Sequence, residues 1–158
     1  MSALRQQNST RSRAAIRGHP LHPMILPFPL VFLTSALLTD LGLLLSGDPF
    51  WARAGFYLLL AGLITGVVAA VPGAVDYFSI KQARAHRVGW VHALGNAAAL
   101  VLSGVNLVLR WGDPAESVLP WGLTLSAVTA LLLVVTGWAG GEMSYRHRVG
   151  VDDAPADG

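Results

Sequence analysis

The residues best able to do chemistry sit at the ends of apolar runs. GHPLHPM, residues 18–24, places His19 and His22 in an HxxH arrangement ahead of a long apolar stretch. Asp76 closes the second stretch, His92 and Asn96 open the third, and Glu142 follows Gly140 and Gly141 at the end of the fourth. Imidazole with carboxylate is a ligand set for zinc, iron, manganese or copper. Read that way, His19, His22, Asp76, His92 and Glu142 are candidate metal ligands. Asn96, one helical turn beyond His92, would orient its neighbours from behind. The same imidazoles suit haem b, with His22 or His19 on one side of the iron and His92 on the other. Without a cofactor, they would cap helix ends or meet lipid phosphates, and Asp76 would pair with Arg84 or Arg87.

A second group lies inside the apolar runs themselves. His92, Asn96, Ser103, Asn106 and Arg110 share one face of a helix by their spacing. That face must look inward, because lipid offers it no partners. Asp40 lies at a depth similar to Asn106 and Arg110. One reading is a buried Asp40–Arg110 ion pair with Asn106 completing its hydrogen bonds. The other is a proton or ion path in which Asp40 relays.

These residues need a frame, and the composition says which. The 158 residues are 53% hydrophobic and only 13% charged, with positive mean hydropathy. A soluble domain carries about 25% charged residues, so the chain belongs in a membrane. It has no cysteine, which excludes disulfides, thiolate metal sites and iron–sulfur ligation. A net charge of +2 offers no basic face for nucleic acid.

Four apolar segments span about 24–46, 54–77, 88–110 and 119–141. At ~1.5 Å per residue each crosses a hydrocarbon core of ~30 Å. Short connections (SGDPFWAR, SIKQARAHR and WGDPAESVLPW) force neighbours to run antiparallel. The expected fold is all-α, an integral membrane four-helix up-down-up-down bundle over residues 18–151. A disordered basic tail, 1–17, precedes it and a disordered acidic tail, 152–158, follows. The apolar run after the basic tail has full-span length and no small-residue cleavage site, which argues against a signal peptide.

Arg5, Arg11, Arg13, Arg17, Lys81, Arg84, Arg87, Arg146 and Arg148 gather on one side, against Arg53 and Arg110 on the other. The positive-inside rule therefore places both termini in the cytoplasm of a bacterial inner membrane. Trp51, Trp90, Trp111, Trp121 and Trp138 fall near span ends, as an aromatic belt requires. Gly62 and Gly66, at GxxxG spacing, suit close packing within the bundle or against a second copy in a homo-oligomer. Pro20 and Pro23 argue that residues 19–22 are extended or turned. No internal repeat or inverted-topology repeat is visible, so the chain does not read as a typical transporter built of duplicated halves. No HExxH, Walker loop, nucleophile elbow or EF-hand loop is present, so a stand-alone enzyme is not expected.

The combination of GHPLHPM, Asp40, GAVDY around Asp76, HALGN at 92–96, NLVLR at 106–110 and GWAGGEMSYRHRVGV at 137–151 resembles a family of predicted bacterial membrane proteins, family 2231 among the domains of unknown function. The resemblance implies a four-span membrane domain. The resemblance also implies relatives joined to Rieske-type or cytochrome c-type domains, and with them a role in electron transfer with a redox partner protein. This chain has no cysteine for either centre. Any redox role then needs a cofactor within the bundle, a transition-metal ion (Fe or Zn) or haem b. The rival expectations are a structural or assembly subunit without cofactor, and a small proton-coupled channel or transporter using Asp40 and Arg110.

Overall fold

The structure, a computed structural model, describes residues 10–151. It is essentially all-α, and four of its helical stretches are long and apolar enough to cross a membrane: Leu21–Ser46, Pro49–Ser79, Arg87–Leu109 and Pro114–Arg146. The outer parts of both expected tails, 1–9 and 152–158, lie outside the described residues. Residues 10–17 run across one end of the bundle. There β1 (Ala15–Ile16) pairs antiparallel with β2 (His19–Pro20).

HPLHP divides at Pro20. His19 and Pro20 are extended, as the prolines predict, but His22 belongs to a helical turn, α1 (Leu21–Ile25). Pro23 is tolerated there because N–H groups in a first turn have no partner to lose. Proline also opens α2 (Pro27–Ser46) and α3 (Pro49–Ser79). Gly47 ends α2 at φ 69°, and Asp48 caps α3 by accepting from the Phe50 N–H at 2.8 Å. The short helix α4 (Lys81–Ala85) gives way to α5 (Arg87–Leu109) at His86, whose extended backbone breaks the helical path. A further short helix, α6 (Pro114–Ser117), leads into a kinked stretch, Val118–Gly122, and then α7 (Leu123–Tyr145).

Contacts between α2 and α3 run in opposite directions along the chain. Gly55 faces Asp40, Gly62 faces Leu33 and Gly73 faces His22. The second pair repeats this, with Asn106 against Gly122 and His92 against Thr136. Packing is closest within the pairs α2–α3 and α5–α7, and looser between them. Leu33, Ala36, Leu59, Ala99, Leu107 and Leu133 form the core. Gly62 and Gly66 are both buried, and a Cβ on either would press on Leu33 or Leu100, so their small size serves packing inside the bundle. Leu38, Leu45, Val71, Val101, Val108 and Val134 face outward, as a lipid-facing surface requires.

The two pairs are built alike. Buried Pro29, Leu33, Ala36 and Asp40 in α2 recur 70 positions on as buried Ala99, Ser103, Asn106 and Arg110. Buried Gly55, Leu59, Gly62, Gly66, Ala69 and Pro72 in α3 recur 67 positions on as Gly122, Ser126, Thr129, Leu133, Thr136 and Ala139. A shared helical period would align two buried stripes by itself. It would not place His22 upon His92, Gly73 upon Gly140 and Gly55 upon Gly122 at the same two offsets. The two halves therefore share a pattern of buried positions and these three identities, an internal repeat that the reading of the sequence missed. Small and apolar residues replace one another freely at most of these positions, so the burial pattern survives while the letters drift.

Candidate functional site

Two polar groupings join the helical pairs, one at each end of the bundle. At the first, Arg110 Nη1 and Nη2 donate to Asp40 Oδ1 and Oδ2 at 2.6 and 2.7 Å. Arg110 Nε donates to Asn106 Oδ1 at 2.9 Å, and Nη2 also donates to Ser126 Oγ at 3.1 Å. Asn106 Nδ2 donates to the Gly122 carbonyl and to Ser126 Oγ. All four side chains are buried. Glycine makes the room: a Cβ on Gly55 would stand 3.1 Å from Arg110 Nη1, and one on Gly122 3.1 Å from Nη2. A bidentate, saturated pair of this kind locks two elements in register. A proton relay would need Asp40 to leave Arg110, and nothing in this shell replaces the guanidinium.

At the opposite end, His22 and His92 meet edge to face, with ring centroids 5.9 Å apart and planes at 86°. His22 Nδ1 donates to the Ala69 carbonyl at 2.8 Å. His92 Nδ1 donates to the Thr136 carbonyl at 2.9 Å. A carbonyl can only accept, so each Nδ1 carries a proton, and in the neutral form of either ring the lone pair is on Nε2. His22 Nε2 is buried and has no hydrogen-bond partner. The rings are also clamped sterically. A Cβ on Gly73 would lie 2.7 Å from His22 Nδ1, and one on Gly140 2.9 Å from His92 Cε1. Asn96 Nδ2 donates to the His92 carbonyl and its Oδ1 accepts from Thr136 Oγ1, tying His92 to the turn of α7 that anchors it.

The other candidates are engaged elsewhere. Asp76 accepts from Ser12 Oγ at 2.6 Å and from the Arg13 and Ala14 N–H groups at 2.7 and 3.1 Å, so it pins the stretch leading into β1. No bond from Asp76 to Arg84 or Arg87 appears among the described residues. Glu142 pairs with exposed Arg146 at 2.7 Å. His19 is exposed, with Nδ1 on the Arg17 carbonyl. His86 stacks on His147 with centroids 3.8 Å apart. Among the described residues, no group of three or more His, Asp or Glu side chains stands close enough to hold a metal ion.

The family of predicted membrane proteins designated DUF2231 matches residues 18–153. The chain belongs to this family. The matched region contains the whole bundle, the ion pair and both imidazoles. No curated protein matches the chain, and no solved structure does.

Sequence reasoning did not find Ala69, Thr136, Ser126, Gly55 or Gly122, and it did not see Gly73 and Gly140 as seats for the rings. Ala69 and Thr136 act through backbone carbonyls, which every residue has, so residue type carries no signal. Gly73 and Gly140 do carry one. Each sits four residues beyond the carbonyl that its histidine uses.

Proposed function

We propose that this membrane protein is a metal-binding module with a redox role, in which Nε2 of His22 and Nε2 of His92 ligate one transition metal. The observation that carries this reading is the pair of imidazoles from different helical pairs, each held in the same tautomer by a backbone carbonyl, with His22 Nε2 buried and unpartnered. Metal-ligating histidines are oriented in this way by the bond that their other nitrogen makes. Asn96 supports the arrangement by holding Thr136, whose carbonyl fixes His92. Asp76, Glu142 and His19 stay outside the ligand set, since each has another partner. The bundle holds both rings in place, and an electron partner would be a separate protein.

Elemental analysis of the purified full-length protein tests this. A stoichiometric transition metal that falls sharply in both His22→Ala and His92→Ala is expected. Protein that stays metal-free after expression with iron, zinc and copper supplements defeats the reading.

A further inference from the structure

The internal repeat makes His22 and His92 counterparts. They stand one repeat apart, and so do the carbonyls that anchor them, Ala69 and Thr136, and the glycines beneath their rings, Gly73 and Gly140. Whatever lies between the rings is offered two equivalent neutral nitrogens, one from each half. Arg17 and Arg87 are counterparts too, each preceding its histidine by the same step, and both are exposed at this end of the bundle.

Two neutral donors without an anion restrict the acceptor. A bare divalent ion between them would keep its full charge with no anion beside it in a part-buried site, which is costly. Zinc would also want about four ligands, and no third His, Asp or Glu joins the pair among the described residues. Asp76 and Glu142, the carboxylates of this end, are held by Ser12 with two backbone N–H groups and by Arg146. Haem reverses both objections. Its macrocycle brings the equatorial nitrogens and the charge that offsets ferrous iron, and it asks the protein only for neutral axial donors.

Size and charge agree. Two metal–nitrogen bonds of ~2 Å each need a ring separation of the order of the 5.9 Å between centroids, once the rings turn so that both Nε2 atoms face the iron. A disc would enter at the seam between the helical pairs, where the backbones approach less closely than within each pair. The two propionates of haem b would find Arg17 and Arg87 at the rim.

We propose that His22 and His92 are the two axial ligands of a haem b seated between the halves of the bundle. This rests on the reading of the two histidines as metal ligands and names the group that they hold.

The test uses the full-length protein in detergent, from cells supplied with a haem precursor and, separately, titrated with hemin. Spectra of oxidised and dithionite-reduced protein, pyridine haemochrome content and elemental analysis are read together. A six-coordinate low-spin haem, stoichiometric with the chain, is expected. His22→Ala and His92→Ala should each lose haem about tenfold or turn high-spin, to similar extents, and added imidazole should restore the low-spin spectrum. His86→Ala should keep full content. Metal without porphyrin would overturn the haem and leave the two-histidine metal site standing. Neither metal nor haem, with no hemin binding by the wild-type chain, would overturn both. A low-spin haem that persists in both alanine variants would overturn the axial assignment.

Discussion

His22 and His92 meet at 5.9 Å although one is fixed to α3 and the other to α7. At the far end of the same two halves, Asp40 and Arg110 meet with opposite charges. Each pair joins counterpart positions of the repeat. The halves therefore keep like residues at one end and unlike residues at the other. Two arginines or two aspartates at the second contact would repel in a low dielectric, so opposite charge is what lets those positions face each other.

The ion pair should behave as a lock. Arg110→Met leaves a buried carboxylate without its partner and should cost about 3–5 kcal/mol. Adding Asp40→Leu should recover most of the loss, because an apolar pair carries no desolvation penalty. Thermal unfolding of the three variants in detergent reads this directly. A double variant no more stable than Arg110→Met would argue that Asp40 serves some other purpose.

The glycines beneath the rings should matter for binding more than for folding. Gly73→Ala and Gly140→Ala each push a Cβ to within 3 Å of an imidazole, an overpacking worth about 1–3 kcal/mol. The ring must shift and metal or haem content should drop. Gly137→Ala is the control, since a Cβ there meets nothing within 4 Å. It should leave content unchanged and stability unchanged or up to ~1 kcal/mol higher. Content is measured against protein concentration in each variant.

Asp76 should report on the chain entering the bundle. Hydrogen bonds to a charged group contribute ~1.5–3 kcal/mol each. Asp76→Ala should thus raise local opening of residues 12–14 about tenfold or more. Timed trypsin digestion will show it as faster cleavage at Arg11, Arg13 and Arg17. Metal or haem content should hold. A sharp drop in content would return Asp76 to the ligand set.

Asn96→Ala removes the tie between His92 and Thr136 without touching either Nε2. Affinity for hemin should fall about tenfold, in line with the loss of a supporting group. Titration with hemin against the wild type gives the number. An unchanged affinity would mean that the Thr136 carbonyl alone orients the ring.

The sequence by itself determined the membrane, the four spans and the polar stripe of α5. Composition and length decide those, because an apolar run of span length has one stable environment. It also placed Asp40 and Arg110 at matching depth, since a buried charge has few possible partners. Tertiary structure alone decided which histidines meet. It also showed that Asp76 holds the incoming chain, and it exposed the repeat. The reason is that Nδ1–carbonyl bonds and glycine seats depend on how two helices face each other. Backbone carbonyls are the same at every residue and leave no mark in the letters, while the glycines beneath the rings do leave one, whose meaning only the packing shows.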